Sequence, residues 1–382
     1  MSQQFQTQRP TWVEISLANL AHNCRTLKQQ LPASSQLPTQ LMAIVKADAY
    51  GHGAPRCAQV LEAAGADWVG VALLEEALEL RAAGLVKPIF CLGGFWPAQA
   101  GEIITHKLTP ALFRLDAAQA LNEAARVHGC RVNVHVKVDT GMGRFGLPLA
   151  DLAAFAETFK QFTHLELDGL MTHLASADDE DSAYTELQLA RYDEAVALLR
   201  ARGFDPTWRH LANSAAMHGY ARARGTLVRV GALLYGLTRD ILKPGATPPV
   251  VRPVLSLHSR IAWLKTVPAG TPIGYGSTFV TLRESRIATI PIGYADGLRR
   301  DLSNRGAVLV RGSRAPIVGR VSMDLTTLDV TDVPGVALDD EVVLLGEQGG
   351  QRIAAEDLAT LLGTVSYEIV TGISARVPHV YG

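Results

Sequence analysis

Lys46 sits where an apolar run stops: Leu41-Met-Ala-Ile-Val45 leads straight into it, and a turn of mostly small residues follows, closed by Gly51 and Gly53. The run is too short for a helix and reads as a buried strand broken by the two glycines. An ammonium at the end of such a strand must be paired or have its proton affinity lowered. Two readings are open. The lysine can reach along its methylene stem to the rim of the sheet, or it can be a Schiff-base lysine, whose nucleophilicity requires burial or a cationic neighbour. Other groups able to do chemistry also stand at the ends of apolar runs: Tyr50 after the first, then Lys137, Asp139 and Arg144, His173, Asn213 with Ser214, and Arg229 with Gly231 and Ala232.

These residues must be positioned by the elements that carry them. The runs Leu41–Lys46, Asp67–Ala72, Pro88–Leu92, Leu108–Phe113, Arg131–Val138, Glu166–Thr172, Thr207–Leu211 and Leu227–Val230 read as eight strands. Amphipathic helical patterns such as 74–83, 116–128 and 184–202 lie between them. Strands alternating with helices imply parallel pairing, and eight units in this length predict an α/β fold with an N-terminal (β/α)8 barrel of the TIM type. A doubly wound open sheet is the alternative, because short apolar runs are not assigned by periodicity alone. In a barrel the catalytic groups lie at the carboxyl ends of the strands, where the residues above fall. The loops after strands seven and eight commonly form a phosphate site there. The Ser214 hydroxyl and the backbone N–H groups of Ser214, Gly231 and Ala232 suit one. Asn213 and Ser214 can equally cap a helix, and His173 can be a satisfied core histidine. Arg229 lies inside an apolar run, where an unpaired guanidinium is costly, so it wants an acceptor.

At 382 residues the chain exceeds what one core usually organises, so two domains are expected. The prolines and glycine of Lys243-Pro-Gly-Ala-Thr-Pro-Pro249 mark the boundary, giving a barrel over 1–245 and a mainly β domain over 246–382. Runs at 254–264, 286–292, 307–310, 315–318, 326–330 and 341–345 read as the β domain's strands. Residues 1–15, with a strand at Thr11–Ile15, are expected to pair with that domain. A net charge of −1 argues against nucleic-acid or anionic-membrane partners. No window reaches the ~18 uninterrupted apolar residues of a spanning helix, and the polar start, without an apolar stretch, points to the cytoplasm. The four cysteines, Cys24, Cys57, Cys91 and Cys130, are widely spaced, which suggests neither disulfides nor a metal site.

The segment Val45-Lys46-Ala-Asp-Ala-Tyr50-Gly-His-Gly53 resembles the pyridoxal-phosphate lysine motif of bacterial alanine racemases, and the similarity runs over nearly the whole chain. The resemblance implies that Lys46 binds pyridoxal 5'-phosphate, that His173 contacts its ring, and that Tyr50, Asn213, Ser214, Gly231 and Ala232 also bind the cofactor. An arginine at the pyridine nitrogen, here Arg229, keeps it unprotonated and favours returning the proton over decarboxylation or transamination. Gly141-Met-Gly-Arg-Phe-Gly146 also matches a dinucleotide-binding G-x-G-x-x-G. That reading needs an acidic residue at the end of the next strand, which instead ends in Met171-Thr-His173. Lys137-Val-Asp-Thr-Gly-Met-Gly-Arg144 is similar to the racemase segment in which a carbamylated lysine orients the arginine that binds the substrate carboxylate, a role falling to Arg144. Ile273-Gly-Tyr275-Gly, Ile292-Gly-Tyr294-Ala-Asp-Gly and Gly319-Arg-Val-Ser-Met323-Asp324 follow in the family's order. They imply Tyr275 as a second base opposite Lys46, Met323 beside it at the substrate, and Tyr294 and Asp324 in support. Racemisation needs a proton delivered on both faces of a planar carbanion, hence two bases. In the family the second tyrosine comes from the other subunit, so the expected enzyme is a homodimer interconverting L- and D-alanine, with D-alanine supplied to peptidoglycan. The other readings are a broader alanine and serine racemase, a barrel-type amino-acid decarboxylase, whose cysteine-bearing and Glu-Pro-Gly motifs are absent, and a non-catalytic pyridoxal-phosphate-binding protein, which would lack the β domain. One departure stands out. Many members have a tyrosine before Arg-Val-Pro, and this chain has Ala375.

Overall fold

Apolar strands joined through helices wind into a parallel sheet that nearly closes on itself. The computed structural model describes residues 9–32 and 38–382. Its strands in chain order begin with β1 (Thr11–Ile15), β2 (Gln40–Ile44), β3 (Trp68–Val71), β4 (Ile89–Cys91) and β5 (Leu108–Leu112). They continue with β6 (Val132–Asp139), the short β7 (Leu147–Pro148), β8 (Leu165–Met171), β9 (Trp208–His210) and β10 (Leu227–Val230). The sheet order is β10-β2-β3-β4-β5-β6-β8-β9, every neighbouring pair parallel. Thr226 N–H donates to the Arg209 carbonyl and Arg229 N–H to the Ala212 carbonyl, each at 3.0 Å, and bring β9 against β10. The eight-stranded barrel read from the sequence is therefore present, each strand within about two residues of its expected place. The expected helices also occur, as Leu74–Ala82, Leu115–Val127 and Ala183–Arg200. Met42, Ile44, Trp68, Phe90, Ala111, Met171 and Leu227 fill the interior, so the barrel is a packed core and not a pore.

The chain divides into two compact units, Asn19–Arg252 with the barrel, and Pro253–Gly382 with the residues up to Ala18. In the second unit β1 pairs antiparallel with Leu255–Arg260, Thr11 opposite Ser259, and parallel with His379–Tyr381. The apolar run 254–264 reads as one strand in sequence but is two. It breaks at Ile261 and Ala262, whose N–H groups bond to Asp340 and Thr289, and the next strand, Trp263–Val267, joins a separate three-stranded sheet. Two short helices, Ala355–Leu362 and Ser366–Thr371, interrupt what otherwise is a β domain. Cys24, Cys57 and Cys91 are buried and free, and Cys130 is partly buried. Among the described residues no helix is long and apolar enough to cross a membrane, and no group of three or more His, Cys, Asp or Glu could hold a metal.

Candidate active site

At the end of β2 the backbone does something unusual for residues that carry a Cβ. Ala47, Asp48, Ala49 and Tyr50 all have φ between 51° and 56°, a complete left-handed turn immediately after Lys46. Each such residue costs roughly 1–2 kcal/mol, so the turn exists because its surroundings hold it. Ala49 N–H donates to the Val45 carbonyl at 2.8 Å, and the Asp48 carbonyl accepts from His52 and Gly53. The Asp48 carboxylate accepts from Ala54 N–H at 2.6 Å. Ala47 N–H donates to the Glu76 carboxylate at 2.6 Å. Beneath it the Tyr235 hydroxyl donates to the Ile44 carbonyl at 2.9 Å, and the Tyr50 and Tyr235 rings lie 4.9 Å apart.

The turn leaves Lys46 half-buried at the carboxyl mouth of the barrel, among cations. Burial lowers its pKa, Arg144 and Arg229 lower it further, and Glu76 opposes them. Lys137, at the end of β6, is buried, and burial with Arg229 and Arg144 brings its pKa down to about 8. Its Nζ stands 5.8 Å from the centroid of the Phe145 ring. Between them the loop 140–146 wraps around one carboxylate: Asp139 accepts from the N–H groups of Gly141, Met142 and Gly143 at 2.8–2.9 Å. The backbone donors that a dinucleotide would need are thereby occupied, which excludes the G-x-G-x-x-G reading. The same wrap leaves Arg144 exposed beside Lys46, Lys137 and His173, all three of which register its charge.

Arg229, on β10, is 3% exposed, and burial lowers its pKa to about 10. Its terminal nitrogens donate to the carbonyls of His210 (2.6 Å), Thr172 (2.7 Å) and Leu211 (3.0 Å). They also meet Nδ1 of His173 at 3.2 Å and of His210 at 3.3 Å, leaving Nε outside these bonds. Among the described residues Arg229 forms no ion pair. A guanidinium only donates, so both Nδ1 atoms accept and both imidazoles carry their hydrogen on Nε2. Burial and then Arg229 hold the His173 pKa well below its ordinary value, and burial does the same for His210. His210 in turn meets Nδ1 of His135 at 2.9 Å. His210 and Glu76 escape notice in the sequence; the only signal for His210 is its inward position in a strand whose neighbour Arg209 points out.

Around the ends of β9 and β10 the expected phosphate residues fall together. The Asn213 side chain accepts from Ala216 N–H at 2.9 Å, so this residue is a helix cap. Ser214 Oγ accepts from Gly231 N–H at 3.0 Å, and Ala232 is buried beside it. A Cβ on Gly231 would lie 2.4 Å from the Tyr50 hydroxyl, so the tyrosine reaches this spot only because glycine occupies it. Burial raises the Tyr50 pKa and keeps the hydroxyl a neutral donor. A depressed lysine, a cup of hydroxyl and backbone donors, and a buried arginine with a spare N–H match an aldehyde, a phosphate and a pyridine nitrogen, so the residues present fit pyridoxal phosphate.

In the second unit three loops adjoin. A Cβ on Gly319 would lie 2.7 Å from the Ile273 carbonyl oxygen, and one on Gly293 would strike the carbonyls of Ser322 and Met323 at 2.3–2.4 Å. Tyr294 N–H bonds to Ser322 and Ala295 N–H to Met323. Tyr275, Tyr294 and Met323 are thus carried by adjoining loops and all are exposed, Tyr275 by 71%. Asp324 pairs with Arg376 at 2.7 Å, and Arg376 also approaches buried Asp296, to which Arg9 is paired.

These features fit the class of α/β-barrel enzymes that use a phosphorylated aldehyde cofactor. Comparison with known proteins narrows it. The family model "Alanine racemase, N-terminal domain" matches residues 15–239 and "Alanine racemase, C-terminal domain" matches 254–381. The alanine racemase of Syntrophobacter fumaroxidans is 47% identical over 365 residues, 95% of each chain. Among solved structures, alanine racemase from D-cycloserine-producing Streptomyces lavendulae superimposes with a TM-score of 0.91 at 36% identity, over 99% of this chain and 98% of that one. Alanine racemase from Bartonella henselae with covalently bound pyridoxal phosphate gives 0.86 at 30% identity, over 98% and 99%. The chain belongs to the alanine racemase family, isomerases dependent on pyridoxal phosphate.

Proposed function

We propose that this protein interconverts L- and D-alanine in the cytoplasm, as a homodimer that supplies D-alanine for peptidoglycan. The observation that carries the site assignment is the half-buried Lys46, held below its ordinary pKa at the barrel mouth and close to a buried arginine that no carboxylate among the described residues neutralises. Lys46 would hold the cofactor, Arg229 would donate to its ring nitrogen and His173 would lie against the ring. Tyr50, the Ser214 hydroxyl and the backbone N–H of Ala232 would take its phosphate, with Gly231 N–H donating to Ser214 Oγ and Asn213 fixing the cap that presents Ser214. When bound, the cofactor withdraws electrons from the substrate Cα and makes its hydrogen acidic.

The remaining work belongs to the protein. Exposed Arg144 can bind the substrate carboxylate by two parallel hydrogen bonds, with Lys137 setting its environment. Lys46, once released, takes or returns the Cα proton on one face; its lowered pKa favours the neutral amine that acts as the base. Tyr275 is assigned the opposite face, Met323 the adjoining wall, and Tyr294 and Asp324 the support of those loops. Its exposure on its own unit suits a residue that completes a site on another surface, which motivates the dimer. Arg229 donates without giving up its proton, so electron withdrawal is restrained and the proton is returned.

Borohydride reduction followed by peptide mass spectrometry tests the central assignment. The cofactor should be fixed on the peptide containing Lys46, and attachment to any other lysine refutes it.

A further inference from the structure

We infer that Glu76 is a positioning residue for Lys46, clamping the left-handed turn that follows the lysine to the start of helix Leu74–Ala82. The inference rests on the assignment of Lys46 as the cofactor lysine. One oxygen of Glu76 accepts from Ala72 N–H at 2.7 Å and Leu73 N–H at 3.0 Å. Those two bonds complete the capping of the helix, which is all that its third residue usually does. The other oxygen accepts from Ala47 N–H at 2.6 Å. That N–H belongs to the peptide joining Ala47 to Lys46, so the bond fixes the plane from which the lysine side chain departs. The other backbone bonds described for the turn close within 45–54. The contact with Glu76 ties it instead to the loop after β3. Four consecutive left-handed residues without glycine persist only where outside contacts over-determine them. The carboxylate also raises the proton affinity of Lys46, against burial, Arg144 and Arg229.

Glu76→Gln in the holoenzyme separates clamp from cap. An amide has one accepting oxygen; turned toward Ala72 and Leu73 it keeps the cap and faces its NH2 against Ala47 N–H. Hydrogen exchange read by mass spectrometry should then rise about tenfold or more in the 46–53 peptide, as loss of a charge-assisted bond implies, with the 74–82 peptide unchanged. The acid limb of the kcat profile should move to lower pH, because a neutral amide no longer supports the protonated lysine. A helix cap alone would move neither. Unchanged exchange in 46–53, equal loosening of both peptides, or an unmoved acid limb overturns the inference. Borohydride labelling of the wild type on another lysine overturns the cofactor assignment instead, and the exchange comparison still decides the clamp.

Discussion

Lys137 should carry a carbamate when carbon dioxide is present, and the effect can be sized from its surroundings. Its pKa of about 8 lies some 2.5 units below the ordinary lysine value. At pH 7 about a tenth of the side chain is then the neutral amine, against roughly one part in three thousand for a free lysine. Only the neutral amine attacks carbon dioxide, forming a C–N bond and releasing a proton, so the buried site holds about 300-fold more of the reactive form. The product replaces a cation beside Arg144 and Arg229 with an anion they can pair. The sign for stability follows. A buried base with a depressed pKa penalises the folded protein fully below pH 8, and the penalty fades as pH rises from 8 to 10.5. At about 1.4 kcal/mol per unit it is on the order of 3 kcal/mol. Lys137→Met should therefore stabilise the protein by roughly 1–3 kcal/mol in carbon-dioxide-free buffer at pH 7. In bicarbonate the wild type should gain stability and close that gap, while the variant should not respond. Native mass spectrometry and NMR with isotopically labelled bicarbonate read the adduct directly. A wild type that binds no labelled carbon and whose stability ignores bicarbonate refutes the reasoning.

Tyr275→Phe should cripple L-to-D conversion while solvent deuterium still enters Cα of D-alanine through Lys46; equal loss of both exchanges would count against two bases. Gly231→Ala places a Cβ 2.4 Å from the Tyr50 hydroxyl oxygen. The hydroxyl must give way, and cofactor affinity measured by titration should fall about tenfold. Adding Tyr50→Phe should cost little more, because the hydroxyl is already displaced, and simple additivity would contradict the contact. Ala375, exposed next to Arg376 and its partner Asp324, is expected to leave room that the family's tyrosine fills. Ala375→Tyr should lower any turnover of L-serine relative to alanine, since a site discriminates weakly against an added hydroxyl unless something excludes it. An unchanged ratio by chiral chromatography disproves this.

The barrel was readable because parallel strands buried on both faces are written as apolar runs of a few residues, each stopped by Gly, Pro or a polar cluster. Chemistry-bearing residues at the ends of those runs then fall on one rim, which is why Lys46, Lys137, His173, Ser214 and Arg229 could be grouped before any contact was known. The β domain was less legible. Its run 254–264 has no breaker at Ile261 and Ala262, and only the hydrogen bonds to Asp340 and Thr289 divide it between sheets. Helix Ala355–Leu362 spans about two turns and Ser366–Thr371 fewer, too short for a helical period to stand out. The G-x-G-x-x-G match misleads for a related reason. Its glycines serve a loop folded around Asp139, with φ of 139° at Gly141 and 135° at Gly146, and this demand looks the same in sequence as one for a phosphate.

The left-handed turn after Lys46 was invisible for a deeper reason. Ala-Asp-Ala-Tyr contains no glycine, and nothing local favours φ near +50° for any of its residues. What favours it is supplied from elsewhere: a carboxylate about thirty positions on, and a tyrosine ring from the far side of the barrel sequence. An ordinary right-handed continuation would have turned Lys46 and Tyr50 along a helix; the left-handed one brings the Tyr50 hydroxyl against Gly231 and leaves Lys46 at the mouth. The strain therefore falls on the residues that link the reactive amine to the phosphate cup. It is held by Glu76, Asp48 and Tyr235, groups that need not touch the substrate. Local propensity fails here because tertiary contacts set the geometry of the site.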